Sequence, residues 1–399
     1  MRVMLMAFAG VAEEKRDKFL EKHAHVHAQT GNRIEYRIPI ERYPDFAALA
    51  RECDKAAAAE ESIPRSFLVT LVSQYDAFLG RLIRAMYVLR PEWLNASERV
   101  LSFAELQELG SMDVAREFII EKEVETVLRK SHAEQFAWFE NKLGTTLRKD
   151  LDAWPTFIEL TERRNLFVHC GGRVSSQYLS VCEKNRVGLK QRPAVGDMLG
   201  ISLVYLHAAY ECLFEIGAKL AQVAWRKIRP DQVREAGDSL IKTSYSLLLD
   251  EEYDLATRIL DFAANPAMKY ADDEGRRRVV INRAQAYKWS GDDQACRSIL
   301  EREDWTACQD VFQLAVAVLR DDFAAADRIM RSLGKGGRVS ERDYREWPLF
   351  REWRKRKSFA TAYQDVFGRE FSVVEQAERL GSKEGLVKLD EMLASKRKR

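Results

Sequence analysis

Residues 159–172 read ELTERRNLFVHCGG. Together with the WPTFI that precedes them, their apolar positions recur at helical spacing, which predicts a helix from about Trp154 to His169. Gly171 and Gly172 end it, glycine being the usual residue just past a helix terminus. On a wheel of 100° per residue, Phe157, Leu160, Thr161, Arg164, Phe167 and Val168 share one face, with Arg164 at its middle. Asn165 and His169 are four apart, so one stands above the other, and with Ile158 they edge that face. A guanidinium aimed at an apolar face is costly unless it is paired or a ligand site opens there. Such a break in the pattern marks function or strain.

The three polar side chains suit one chemistry. Arginine offers a planar donor fork matched to phosphate. Asparagine donates and accepts, and orients either a substrate group or the histidine. Histidine titrates near neutral pH and serves as general acid or base. Arg164 and His169 without a carboxylate cluster fit phosphodiester cleavage without a metal: the histidine deprotonates a ribose 2′-hydroxyl or protonates the leaving oxygen, and the arginine holds the developing charge. The structural alternative is that Arg164 pairs with a carboxylate of a neighbouring helix, such as Asp76 or Glu211, and that His169 caps the helix end.

Outward from this helix the pattern stays helical. From Pro64 an apolar stripe runs through Phe67, Leu71, Tyr75, Phe78, Leu82 and Met86. Ser102 and Glu105 form a capping-box start for a second helix. DVAREFIIEKEVETVLRK gives a third, and GDMLGISLVYLHAAYECLFEIGAKLAQVAWRKI a long one after the motif. This predicts a helical bundle over residues 63–230. Residues 1–62 form an N-terminal extension in which AEEKRDKFLEKHAHVHAQ and PDFAALARECDKAAAAEES suggest helices and RIEYRIPIE alternates like a strand. From 231 to 399 the texture changes to helix pairs with acidic turns, LDEEYDLATRIL, SGDDQACRSIL and LRDDFAAADRIM, starting at Glu251, Asp292 and Asp321, 41 and 29 residues apart. These spacings bracket the tetratricopeptide period, and AQAYKWSGDDQAC resembles the turn of such a repeat, which implies an irregular α-solenoid whose curved surface holds a protein partner. The expected class is all-α.

The stretch RRNLFVHCGGRVSSQYL resembles the signature of HEPN domains: an arginine, often followed by asparagine, then a histidine after four to six residues. Arg164, Asn165 and His169 fill those places, and the resemblance extends over about residues 65 to 226. It implies a metal-independent endoribonuclease, active as a homodimer in which two motifs meet in one cleft, with Arg164 and His169 as the catalytic pair and Asn165 supporting them. It further implies a toxin or antiviral (abortive infection) setting, with the solenoid binding an antitoxin or sensor. The other reading is a non-catalytic adaptor that dimerises through the bundle and binds protein through the solenoid.

Bulk properties narrow the partners. Net charge is +2 from 64 basic and 62 acidic residues, which argues against a surface coated for bulk DNA binding but leaves room for a local basic patch. Arg163, Arg173, Lys184, Arg186, Lys190 and Arg192 are the expected RNA contacts, most of them in a loop after the motif. WRKRK at 353–357 and the tail SKRKR are weaker basic runs, better read as an exposed helix face and a solvated end. The six cysteines form no C-x-x-C pair, so reduced thiols in a cytoplasmic protein are expected. MRVMLMAFAG is a poor signal peptide because EEKRDK follows at once, and no apolar run reaches the length of a membrane span. HAHVH brings His23, His25 and His27 together, but no fourth ligand for a closed zinc site is near, so neither metal nor cofactor is expected.

Overall fold

The structure, a computed structural model, describes residues 2–30, 33–96, 99–149, 151–188 and 192–371. The protein is all-α: its described residues form sixteen α-helices and a single two-stranded sheet. The chain divides into two compact units, one ending at Asp231 and the other beginning at Gln232. No helix among the described residues is long and apolar enough to cross a membrane.

The first unit opens with α1 (Arg2–His23), an antiparallel hairpin of β1 (His25–Thr30) and β2 (Arg33–Arg37), and α2 (Tyr43–Leu89). The strand expected in RIEYRIPIE is β2. The helix expected over AEEKRDKFLEKHAHVHAQ stops at His23, because HVHAQT pairs with RIEYR instead. A domain boundary at residue 62 is not what the chain adopts: α2 runs without interruption through it, with Pro64 buried inside the helix. Proline removes one hydrogen bond and reads as a breaker. Here apolar residues pack on both sides of it, from Ala56 to Leu68 and Val72, and hold the helix together.

Five helices were expected between Pro64 and Ile228, and seven are present. After α2 come α3 (Phe103–Leu109), α4 (Met112–Leu128), α5 (His132–Leu143), α6 (Trp154–His169), α7 (Ser176–Lys184) and α8 (Leu203–Ile228). Ser102 and Glu105 make the expected capping box on α3, and Ser131 and Glu134 make the same one on α5, a helix the periodicity did not mark. The stretch expected as a loop after the motif contains α7, whose start is capped by Ser175 Oγ accepting from the Tyr178 N–H (3.1 Å). Tyr178 and Cys182, four apart, bury one face of it against Leu166 and Val174. The last helix starts not at Gly196 but after Ser202, whose hydroxyl accepts from the Tyr205 N–H.

The core of this unit lies between α2, α4, α5, α6 and α8, with Phe157 at its middle. The Phe157 ring lies 5.3 Å from Tyr75, 5.5 Å from Phe136 and 5.5 Å from Trp154, edge-on or tilted, the arrangement aromatic quadrupoles favour. Burying each such side chain contributes about 1.5–3 kcal/mol. That is enough to fix α6 against α2 and α5 although its C-terminal half is polar.

The second unit is built of α9 (Val233–Leu249), α10 (Tyr253–Ala263), α11 (Asp273–Trp289), α12 (Asp293–Glu301), α13 (Asp310–Leu319), α14 (Phe323–Leu333), α15 (Glu341–Glu346) and α16 (Lys357–Phe367). The acidic stretches are the turns of three helical hairpins with one geometry. Glu251, Gly291 and Asp321 each take a left-handed conformation, at φ of 59°, 95° and 59°. The next N–H, of Glu252, Asp292 and Asp322, reaches back to the carbonyls of Leu247, Tyr287 and Ala317, each at 2.9 Å. Asp292 and Asp322 then cap the following helix through their side chains. In this register the middle repeat begins at Gly291, one residue before the start taken from the acidic pair. Ala256, Cys296 and Ala326 are equivalent, as are Leu260, Leu300 and Met330, and all six are buried.

WRKRK is divided: Lys355, Arg356 and Lys357 are exposed as expected, while Trp353 and Arg354 turn inward. Trp353 is fully buried, its Nε1 donating to Asp327 Oδ1 (2.8 Å). Arg354 donates to the carbonyls of Tyr344 and Trp347, and burial pushes its guanidinium down to about 10. Tyr344, Phe350 and Phe359 pack around the indole, so this aromatic cluster takes in the first residue of the run. The tail SKRKR lies outside the described residues.

Candidate functional site

α6 positions the motif between two layers of partners. On its inner side Glu159, 5 % exposed, accepts from Tyr178 Oη (2.6 Å), Tyr205 Oη (2.6 Å) and Arg163 Nε (2.7 Å). A buried carboxylate is tolerated only with such a set of donors. It joins α6 to α7 and α8. Burial, followed by the Glu159 charge, pushes both tyrosine hydroxyls well above their usual range, and the same two causes raise the Cys182 thiol to about 11. Arg163 belongs to this core. Besides Glu159 it donates to the Gly200 carbonyl (3.1 Å), and its guanidinium lies 4.2 Å from the centre of the Tyr205 ring.

Arg164 is paired. Its Nη2 donates to Asp76 Oδ2 of α2 at 2.6 Å, and its Nη1 to Asn165 Oδ1 at 3.1 Å. Asp76 Oδ1 accepts from His132 Nε2 of α5 at 2.9 Å, which places the imidazole proton on Nε2 because the carboxylate only accepts. His132 is buried against Tyr75 and Phe157. Arg164 Nε is buried without a partner among the described residues. Asn165 Nδ2 lies 3.5 Å from Glu162 Oε1, and burial raises the Glu162 carboxyl, against the pull of His132, Arg164 and the Asn165 hydrogen bond. Of the two carboxylates expected as partners for Arg164, Asp76 takes the role; Glu211 instead approaches His207, at 3.9 Å.

His169 stands at the end of α6, exposed, its side chain making no hydrogen bond among the described residues. Five residues of helix turn it about 140° from Arg164 and raise it about 7.5 Å, so the two do not share a face, whereas Asn165 and His169 do. Val168, expected on the apolar face, is exposed as well. The exit of the helix is pinned. The Cys170 and Gly172 N–H groups both reach the Leu166 carbonyl, and residues 172–174 exchange hydrogen bonds with 196–199. Gly172 has φ of 87°, and a Cβ there would lie 3.0 Å from the Phe167 ring, so no larger residue fits without a shift.

The expected RNA contacts are placed unevenly. Arg173 is exposed and donates to the Gly196 carbonyl (3.3 Å); Lys184 ends α7, exposed; Arg186 is exposed at φ 56°. Arg192 pairs with Glu183 at 3.0 Å. Lys190 lies outside the described residues. Arg163 and Arg192 line a cleft of about 470 Å³ with Tyr178, Pro193, Asp197 and Met198. In the HAHVH run His27 Nε2 accepts from Arg37 Nη2 (3.1 Å), and His23 packs on Phe19. His132, Glu159, Glu162 and the two tyrosines were not singled out from the sequence. Of these only Glu159 carried a local signal, its four-residue spacing to Arg163.

Comparison of the chain with protein-family models, with curated proteins and with solved structures returns no match.

Proposed function

We propose that the protein is a HEPN-type endoribonuclease that cleaves RNA by attack of a ribose 2′-hydroxyl on the adjacent phosphorus, without a metal, in a toxin or antiviral role. The observation that carries this reading is the placement of His169, exposed at the end of α6 with Asn165 one turn below it on the same side. The histidine takes the 2′-hydroxyl proton or returns one to the leaving 5′-oxygen. Arg164 supports the site through Asn165, and its approach to a phosphate requires exchange of Asp76. Arg173, Lys184 and Arg186 are the exposed cations suited to the RNA backbone. The helical hairpins of the second unit suit a protein partner, and a homodimer would bring two motifs together.

The test is cleavage of total RNA by the purified protein in EDTA. The expected result is cleavage leaving 2′,3′-cyclic phosphate ends, reduced on the order of 100-fold or more in His169→Ala. Because His169 is exposed, that variant keeps its fold. Cleavage equal in both proteins would remove His169 from the chemistry.

One observation favours the adaptor instead: Arg164 is engaged by Asp76 inside a single chain, as a structural pair would be. RNA left intact by the wild type, with and without the products of neighbouring genes, would support that reading.

A further inference from the structure

The second unit holds a cleft of about 730 Å³, bounded by α9, α11, α13 and residues 338–347. That is the size of a site for a small organic molecule. Ile281, Phe312 and Ala315 give it a buried apolar floor, and Tyr245 and Trp347 stand half-buried in its lining. Asn282 of α11 lines it too. Asn282 is only 6 % exposed, yet its side chain makes no hydrogen bond among the described residues. Buried polar groups are normally paired, so an unpaired amide in the wall of a cavity marks where a ligand's hydrogen bonds belong. Two arginines of the lining are exposed. Arg278 is paired with Glu274, whereas Arg338 donates to the neutral side chain of Gln309 and has no carboxylate partner among the described residues. The other carboxylate of the lining, Asp343, accepts from the Ser340 N–H and hydroxyl at the start of α15.

We propose that this cleft binds a nucleotide, with the base against Tyr245 and Trp347, the edge of the base on the Asn282 amide and the phosphate at Arg338. Each group in the lining selects one part of that ligand. An amide both donates and accepts, and adenine offers it a matching pair in N6–H and N7. Aromatic side chains stack on the flat face of a base. A guanidinium is the donor fork matched to phosphate. A neutral peptide segment would also meet the amide and the aromatic walls, but it would leave Arg338 unanswered, so the free arginine favours the nucleotide. The cleft lies wholly within the second unit, and the inference does not rest on the ribonuclease reading.

The experiment is titration calorimetry of the full chain with AMP, GMP, CMP and UMP, and with adenosine, each up to about 5 mM. AMP should bind most tightly of the four, and adenosine more weakly than AMP. Asn282→Leu, an apolar side chain of similar size, should weaken AMP binding about tenfold or more, with unchanged helical circular dichroism. Arg338→Ala changes an exposed side chain and keeps the fold; it should bring AMP down to the affinity of adenosine and leave adenosine unchanged. No binding of any nucleotide overturns the proposal, as does AMP binding that both variants leave intact. Tighter binding of another nucleotide than of AMP would overturn the choice of adenine. Binding of N-acetylphenylalaninamide but not of AMP, lost in Asn282→Leu, would overturn the proposal in favour of a peptide.

Discussion

Glu159 and Glu162 stand one turn apart on α6 and meet opposite surroundings. Glu159 is enclosed by three donors. Glu162 is half-buried with one long hydrogen bond, and burial pushes its carboxyl above its ordinary value of 4.5. A carboxyl whose folded-state value is raised holds its proton more tightly in the folded than in the unfolded chain. Stability therefore falls as pH rises from about 4.5 through the folded value. Glu162→Gln should remove that fall, gaining less than about 1 kcal/mol at pH 7 after solvent screening. Urea midpoints at pH 4.5 and 7 measure it, and identical pH profiles for the two proteins would exclude the effect. At this scale the sequence showed that Arg164 breaks an apolar pattern and that a carboxylate such as Asp76 would answer it. It did not show His132 behind Asp76, because a contact between residues 56 apart leaves no periodic trace.

Elements were legible where their own residues carry the signal. The α6 helix, its glycine stop, the Ser102 capping box and the acidic turns of the second unit all depend on neighbours in sequence. The α5 and α7 helices were missed because each is short and offers few buried apolar positions, Phe136, Phe139 and Leu143 on one and Tyr178 and Cys182 on the other. The start of α8 was misjudged because apolar residues before Ser202 continue the composition without the conformation. The three hairpin turns show how backbone geometry can outlast residue identity: glycine holds the left-handed position at 291, while Glu251 and Asp321 hold it at the other two. L-residues pay about 1 kcal/mol there relative to glycine. Gly291→Ala should therefore lower the stability of the second unit by about 1 kcal/mol, without a steric clash, since nothing lies within 4 Å of the added Cβ. Thermal unfolding would show it, and an unchanged midpoint would mean that the turn relaxes to another conformation.

At the scale of the molecule, the division of the apolar clusters determines what can be separated. Among the described residues, the cluster around Phe157 draws on none beyond Ile228, and the cluster around Trp353 on none before Val280. The change of texture near residue 231 was visible because acidic turns between paired helices recur from Glu251 onward. The N-terminal boundary was not, because α2 belongs at once to the segment that precedes Pro64 and to the core that follows it. A chain ended at Asp231 keeps every residue of the Phe157 cluster, the Glu159 hub and the Arg164–Asp76–His132 network. It should fold cooperatively, with helical circular dichroism and a single urea transition. On the ribonuclease reading it should also keep the cleavage lost in His169→Ala. Cleavage absent from a folded fragment but present in the full chain would mean that residues beyond Gln232 contribute to the active state. A fragment that does not fold would mean that contacts across residue 231 supply stability that the two clusters do not account for.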